Sequence, residues 1–289
     1  MAGEKQIWMK ANAKINLGLD VLRRRKDGYH DVCMVMQSLD LSDDVFLEKR
    51  SDDEIRLKTN LASLPDDESN LAYKAAKLMK EKYRIKQGVA VSIQKRIPIA
   101  AGMAGGSADA AAVLRGMNEL FDLGLSMEEL QKTGVKLGAD VPYCVMGGCA
   151  LAEGIGEKLT KLDGPSGYPI LLAKPDIEVS TKHVYESLSL EDKSSHPDVK
   201  QLLQDVENQE VSAMARHIGN ILETVTIAEY PVIDQIKKQM KVSGAVNSLM
   251  SGSGPTVFGI FEDGTVLQNA YSDMVKTGLA KDVIMTYAV

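Results

Sequence analysis

The stretch that most constrains this chain is PIAAGMAGGSADAAA, from Pro98 to Ala112. Gly102, Gly105 and Gly106 stand close together in it, directly before a run with helical spacing. Glycine loses more backbone freedom on folding than any other residue, so such a cluster is costly in an ordered chain. The cluster therefore predicts a place where another group must approach the backbone closely.

A glycine-rich turn that opens a helix is suited to binding an anion. Such a turn leaves several backbone N–H groups without helical partners, and the helix dipole adds about half a positive charge at that end. Phosphate is the expected ligand. The stretch is not a P-loop, because no Gly-Lys-Ser/Thr follows, and its glycines lack the Rossmann spacing. The alternative is a purely structural turn into a close-packed, alanine-rich helix.

Composition narrows the class of protein. The net charge of -6 argues against nucleic-acid binding. The N-terminal stretch MAGEKQIWMK has no apolar signal-peptide region, and no apolar run is long enough to span a bilayer. Three cysteines without a C-x-x-C pair predict neither a zinc site nor a disulfide framework, but buried reduced thiols in a cytoplasmic protein.

Periodicity predicts a mixed α+β chain. Helical spacing follows Asn70, the expected N-cap, and begins again at Ser107; Ser126 and Glu129 form a capping box for a helix that ends near Gly138. If Asp140 is only a turn residue, the backbone before Pro142 would be extended. Alternation predicts strands at residues 53–60 and 88–98. Residues 16–22 and 43–50 have strand character, and the strand candidates of the second half are residues 170–173, 246–250, 256–261 and 283–287. A region rich in glycine and turn residues follows residue 152, and we place a domain boundary near residue 165.

The glycine stretch resembles the second signature of the galactokinase, homoserine kinase, mevalonate kinase and phosphomevalonate kinase (GHMP) superfamily, Pro-x-x-x-Gly-Leu-x-x-Gly-Ser-Ser. Met103 replaces the usual leucine, which conserves volume. Ala108 replaces the second serine, so Ser107 must carry any hydroxyl role toward phosphate or magnesium.

Four further stretches resemble one family within that superfamily, the 4-diphosphocytidyl-2-C-methyl-D-erythritol kinases of the non-mevalonate isoprenoid pathway. They are ANAKINLGLDV, RKDGYHDV, LGADVPYCVMGG and MSGSGPTVFGIF, in chain order from Ala11 to Phe261. The resemblance implies transfer of the ATP γ-phosphate to the 2-hydroxyl of the methylerythritol conjugate. It also implies magnesium with ATP, no prosthetic group, and a cytoplasmic monomer or homodimer with no nucleic-acid or membrane partner.

The same resemblance implies a two-domain α+β fold with the active site in the cleft between domains. Residues 1–165 would form an ATP-binding domain that is ribosomal protein S5 domain 2-like, and residues 166–289 a ferredoxin-like domain. No residue is assigned to a metal.

Two residues match the family's catalytic pair. Asp140 would accept the proton of the substrate hydroxyl, and Lys14 would orient that carboxylate and offset phosphoryl charge. From the residues alone, Asp140 could equally be a turn residue before Pro142, and Lys14 a solvated strand lysine.

The resemblance also implies the nucleotide site. Asn70 and Lys95 match positions near the adenine, although the first is also a good N-cap and the second could be a surface cation. Asp109, in the first turn of the helix, is expected to point away from phosphate. The turn SGSGPT, residues 251–256, is expected to pack against the glycine stretch and the nucleotide. The phosphate-binding residues would be Pro98, Ala101, Gly102, Met103, Ala104, Gly105, Gly106 and Ser107.

Recognition of the cytidine is the third implication. The Tyr29 ring could stack on cytosine and His30 could bond the base edge, while Thr181 and Tyr185 would line the pocket from the second domain. Asn16 would lie near the substrate, on the same strand face as Lys14. From spacing alone, Tyr29 and His30 could simply cap the turn after Asp27-Gly28.

Three other functions remain open. Another kinase of the superfamily would need no ring to stack on a base. A non-catalytic nucleotide sensor would be expected to have lost Lys14 or Asp140, and both are present. An RNA-binding module would need a basic stripe, which the acidic composition disfavours.

Overall fold

The computed structural model describes residues 6–289. The first five residues, part of the N-terminal stretch expected to carry no signal peptide, lie outside the described residues. The chain divides into two compact units built from discontinuous segments. Unit 1 comprises the residues up to Ala13 with Leu41–Ile97 and Ala104–Gly147; unit 2 comprises Lys14–Asp40, Pro98–Met103 and Gly148–Val289. The sequential boundary near residue 165 stays a prediction.

Two long strands contribute residues to both units, β1 (Gln6–Arg24) and β2 (His30–Lys49). In unit 1, the last part of β2 pairs antiparallel with β4 (Val89–Gln94), which pairs parallel with β3 (Ile55–Thr59). The alternating burial of β4 follows its alternating sequence, as expected for a sheet with one face in the core.

Four helices complete unit 1: α1 (Leu71–Tyr83), α2 (Gly105–Leu120), α3 (Met127–Gly134) and α4 (Val141–Met146). Small residues let α2 lie close to its neighbours. A Cβ on Gly116 would stand 2.4 Å from the end of the Leu47 side chain, so a larger residue there would require Leu47 to move. The alanine-rich face of α2 is buried in the core of this unit.

In unit 2, the first part of β2 pairs antiparallel with β5 (Cys149–Gly154), which pairs antiparallel with β6 (Lys158–Leu162). β1 pairs in parallel with a two-residue strand, β8 (Gly219–Asn220). Four short helices precede or follow β8: α5 (Thr181–Ser187), α6 (Val199–Glu207), α7 (Val211–His217) and α8 (Glu223–Glu229).

The C-terminal part of unit 2 has the expected ferredoxin-like topology. An antiparallel sheet has the order β11-β7-β10-β9, formed by β7 (Pro169–Lys174), β9 (Asn247–Met250), β10 (Val257–Ile260) and β11 (Asp282–Tyr287). Helix α9 (Val232–Val242) contacts β9 and β10, and α10 (Gly264–Thr277) contacts β7 and β11. This is the βαββαβ arrangement.

Several sequence expectations were wrong in detail. The turn-rich region after residue 152 contains the end of β5 and all of β6. The helix expected to end near Gly138 ends at Gly134. The stretch around Pro142 is not extended: Pro142 lies in the first turn of α4, where its missing N–H leaves no helical hydrogen bond unmade.

No helix among residues 6–289 is long and apolar enough to cross a membrane. None of the three cysteines forms a disulfide; Cys149 is buried, as expected, whereas Cys33 and Cys144 are only half-buried.

The capping box of α3 gives a stability prediction. The Ser126 hydroxyl accepts from Glu129 N at 3.3 Å, and the Glu129 carboxylate accepts from Ser126 N at 2.8 Å. Ser126→Ala should lower the free energy of unfolding by about 1 kcal/mol, measured by urea denaturation. Ser272→Ala is the matched control, because that hydroxyl bonds only within α10, to Gln268 O; equal effects of the two changes would contradict the role of the cap.

Candidate active site

The residues between β4 and α2 that contain the first glycine, 98–104, are called the glycine segment here, and their backbone is unusual. Ala100 (φ 50°), Gly102 (φ 70°) and Ala104 (φ 56°) all lie in the left-handed region. Two of these three are alanines, which pay roughly 1–2 kcal/mol each for that conformation. Strain of this kind persists only where the surroundings hold it, and such residues cluster at functional sites.

The group that approaches Gly102 is another backbone. A Cβ on Gly102 would lie 2.4 Å from Ser251 O and 2.9 Å from Gly254 O. The Ser251 hydroxyl also donates to Gly102 O at 3.0 Å. The predicted close approach is confirmed, and so is the predicted packing of the turn at residues 251–256 against the glycine segment.

Lys14 is joined to this segment. Its backbone N–H donates to Met103 O at 3.2 Å. The side chain is 4% exposed, and its Nζ donates to Asn16 Oδ1 at 2.7 Å. The interpretation of Lys14 as a solvated strand lysine is therefore wrong. The shared strand face of Lys14 and Asn16 is confirmed.

Helix α2 begins within the predicted phosphate-binding stretch. Ala104 occupies the N-cap position without a side-chain hydrogen bond to the helix. Because alanine has no polar group, the backbone N–H groups that follow it, from Gly105 to Ser107, are not capped by its side chain. Gly106 is exposed and Ser107 half-buried. This helix end has the chemistry of an anion site.

The two departures from the superfamily signature are both buried. Met103 and Ala108 are each 1% exposed. Met103 thus fills a space inside the fold, as expected of a substitute for leucine. Pro98 is half-buried and Ala101 buried, whereas Ile99 and Ala100 are exposed.

Asn70 caps α1: its Oδ1 accepts from Ala72 N at 2.9 Å, and its Nδ2 donates to Pro65 O at 2.9 Å. The N-cap prediction is confirmed.

Lys95 is not a surface cation, because it is 8% exposed. Its Nζ lies 2.5 Å from Asp43 Oδ2 and 2.7 Å from Asp109 Oδ2. Asp109 was expected in the first turn of α2, but it lies one turn further into the helix.

Asp140 occupies the N-cap position of α4 with helical backbone angles, φ -81° and ψ -15°. Its side chain does not cap the helix and is half-buried. The alternative interpretation is correct in that Asp140 lies in a turn, but the backbone at Val141 and Pro142 is helical and not extended.

The structure brings together two of the residues expected to bind cytidine. The rings of His30 and Tyr185 lie 5.3 Å apart at 40°. Thr181 Oγ1 lies 2.8 Å from Ser253 Oγ, which links α5 to the turn at residues 251–256. Tyr29 is 61% exposed, and its N–H donates to Asp27 Oδ1 at 3.1 Å. Burial, with the charge of Arg24, lowers the pKa of His30.

The other histidines each lie beside a carboxylate: His183 beside Glu229, His196 beside Asp20 and His217 beside Asp205. Within residues 6–289 no group of three or more His, Cys, Asp or Glu side chains is placed to hold a metal ion.

Sequence reasoning missed Asp43, Asn220 and the role of Asp109. Asp43 is fully buried and accepts from Ile97 N at 2.9 Å. Asn220 donates from Nδ2 to Met250 O and Gly252 O, both at 2.8 Å. Asn220 stands next to apolar residues and Asp109 stands between alanines, but such a pattern does not name the partner; Asp43, between Ser42 and Asp44, carries no comparable signal.

Comparison with known proteins agrees with this geometry. The GHMP kinases N terminal domain model matches residues 70–148, and the GHMP kinases C terminal model matches residues 194–279. A 4-diphosphocytidyl-2-C-methyl-D-erythritol kinase of Lachnospira eligens is 53% identical over 98% of both chains. This chain belongs to the 4-diphosphocytidyl-2-C-methyl-D-erythritol kinase family.

Other members and neighbours are consistent with that family. The enzyme of that name from a Geobacillus species is 50% identical over 93% of both chains. A crystal structure of 4-(cytidine 5'-diphospho)-2C-methyl-D-erythritol kinase matches with a TM-score of 0.83 and 31% identity, covering 98% of this chain and 99% of that one. A homoserine kinase from Cytophaga hutchinsonii, with a TM-score of 0.80 and 21% identity over 99% of this chain and 95% of that one, shares the fold.

The close approach at Gly102 gives a prediction. Gly102→Ala should destabilise the protein by clearly more than the roughly 1 kcal/mol of left-handed strain alone, because the new Cβ would overlap two backbone carbonyls. Gly278→Ala is the matched control, since its φ is 66° and no atom lies within 4 Å of its Cβ position. Thermal unfolding of the two variants makes the comparison; equal losses would show that Gly102 is needed only for its φ.

Proposed function

We propose that this protein transfers the γ-phosphoryl group of ATP to the 2-hydroxyl of 4-diphosphocytidyl-2-C-methyl-D-erythritol. The observation that carries the proposal is the bond from Lys14 N to Met103 O. This bond holds β1, which carries the buried Lys14 ammonium, against the glycine segment that leads into the expected phosphate site at the start of α2. Family membership supplies the substrate.

In the proposed reaction, N–H groups at the start of α2 bind the phosphates of ATP. The substrate oxygen attacks the γ-phosphorus, the bond from that phosphorus to the bridging oxygen breaks, and ADP leaves. Asp140 accepts the hydroxyl proton, and the Lys14 ammonium offsets charge on the transferring group. Positioning and charge stabilisation suffice, so no covalent enzyme intermediate is needed.

Asn16 would orient the substrate beside Lys14. Asn70 and Lys95, in unit 1, are proposed to lie on the adenine side of the nucleotide site. Lys95 would act there through its contacts with Asp43 and Asp109.

The proposal assigns base recognition to Tyr29, His30, Thr181 and Tyr185. With its pKa lowered, His30 is neutral at pH 7 and offers one donor and one acceptor to a base edge. The Tyr185 ring beside it offers a stacking surface. A small alcohol such as homoserine or mevalonate has no base for this pair to recognise, which disfavours those substrates.

Several finer features belong to the same proposal. Magnesium would arrive bound to ATP as part of the co-substrate. The protein would act in the cytoplasm as a monomer or homodimer, with the domain boundary near residue 165.

The direct test is ADP release from magnesium-ATP with the cytidine substrate, homoserine or mevalonate as acceptor. Of the three acceptors, only the cytidine substrate is expected to be phosphorylated.

Asp140→Asn should lower kcat by about 10²–10⁴-fold, because the amide cannot accept the proton. Asp205→Asn, a change at a buried carboxylate bonded to Gln201 and His217, is the control and should keep its kcat. Turnover with a small alcohol, or nucleotide binding without turnover, would contradict the proposal.

Base stacking gives a separate prediction. Tyr185→Ala should raise KM for the cytidine substrate roughly tenfold or more, since one base–ring stack is worth roughly 1–3 kcal/mol. KM for ATP should stay within about twofold. Tyr287→Ala, at an exposed tyrosine of β11, is the matched control. An unchanged KM in Tyr185→Ala would remove this residue from the cytidine site.

A further inference from the structure

Unit 1 contains a triad of buried charged residues near the start of α2. Lys95, Asp43 and Asp109 are 8%, 0% and 5% exposed. The one ammonium is bonded to both carboxylates, at 2.5 Å and 2.7 Å. Burying three charges is costly, and apolar side chains of similar volume are often as stable or more stable. The triad therefore requires an explanation other than stability.

Each carboxylate holds a different end of the glycine segment. Asp43 Oδ1 accepts from Arg96 N at 2.5 Å and from Ile97 N at 2.9 Å, directly before the segment. Asp109 belongs to α2, directly after it. Lys95 joins the two, and its Nζ lies 3.5 Å from the position of a Cβ on Gly105, the first residue of α2.

The lysine itself is anchored at its backbone. Lys95 N donates to Asn60 Oδ1 at 2.7 Å, and Asn60 Nδ2 donates to Lys95 O at 3.2 Å. With its main chain fixed in this way, Lys95 can set the position of the start of α2 relative to β4. A free surface lysine could not do so.

Asp109 is the less well satisfied of the two carboxylates. Its Oδ1 is buried without a hydrogen-bond partner among residues 6–289, whereas both oxygens of Asp43 are bonded. Burial raises the pKa of Asp109 to about 7. Burial lowers the pKa of Lys95, but Asp109 and Asp43 raise it by more, so the ammonium keeps its proton.

We propose that Asp43 and Asp109 are positioning residues that act through Lys95 to hold both ends of the glycine segment in the conformation that binds the phosphates of ATP. The inference rests on the proposed function, since it assumes that ATP binds there. Two of the three N–H donors of Lys95 are directed to the carboxylates, so at most one is left to meet a ligand.

The test uses Asp109→Asn, which keeps the side-chain shape and cancels the charge, and Asp43→Asn, which keeps an acceptor for the two backbone N–H groups. Each should raise KM for ATP, and Kd for ATP by calorimetry, about tenfold, the value of one charged hydrogen bond. KM for the cytidine substrate should stay within about twofold. Asp205→Asn is the matched control at a buried carboxylate bonded to histidine and should leave the ATP constants unchanged.

The outcomes separate the two proposals. If the wild type turns over the cytidine substrate and both variants keep the ATP constants of the wild type, the positioning role is overturned and the proposed function stands. A lower kcat with unchanged ATP constants would mark the triad as merely structural and would also overturn it. If the wild type does not turn over the cytidine substrate, the proposed function fails, while the Kd values for ATP still test the positioning role. Should one variant not fold, the other decides, because the two act on opposite ends of the segment.

Discussion

The contact between Gly102 and the turn at residues 251–256 is the constraint on which the site in unit 2 depends. The two backbones lie too close for any side chain between them. Asn220 holds this turn by donating to Gly252 O within it and to Met250 O directly before it. The contact of Ser253 with Thr181 holds it as well. Because the turn is held, the position of Gly102 is also set. The next residue, Met103, then presents its carbonyl to Lys14 N, from which it accepts a hydrogen bond.

The two buried lysines of the site differ in their chemistry. Lys95 is bonded to two carboxylates, so its charge is compensated and it serves to hold other groups in place. Lys14 donates to the amide of Asn16. In the proposed function Lys14 offsets charge on the transferring phosphoryl group, whereas Lys95 supports the helix at which phosphates are expected to bind.

Local features of the fold could be predicted from the sequence because local chemistry determines them. Asn70 and Ser126 cap helices through bonds to residues two or three positions away. Alternation located β4, and the four strands of the ferredoxin-like sheet were also predicted as strand candidates. β6 could not be predicted, because its residues are exposed or half-buried and show no apolar alternation. The short β8 has only two residues and exists because β1 lies beside it.

The site was predictable in its residue types but not in its contacts. The glycine cluster indicated a close approach, yet the partner, Ser251, is 149 residues away. The carboxylates that hold Lys95 are 52 and 14 residues away, and no periodicity relates them. The family resemblance supplied the proposed roles of four residues, Lys14, His30, Asp140 and Tyr185. The ring contact of His30 with Tyr185 became visible only in the folded chain.

The most direct test of the account is the identity of the reaction product. The protein would be incubated with magnesium-ATP and 4-diphosphocytidyl-2-C-methyl-D-erythritol, and the product examined by ³¹P and ¹³C nuclear magnetic resonance. The account predicts ADP and a new phosphomonoester whose phosphorus couples to the carbon that bears the 2-hydroxyl. Inorganic phosphate with unchanged substrate, or a phosphoryl group on another hydroxyl, would contradict it.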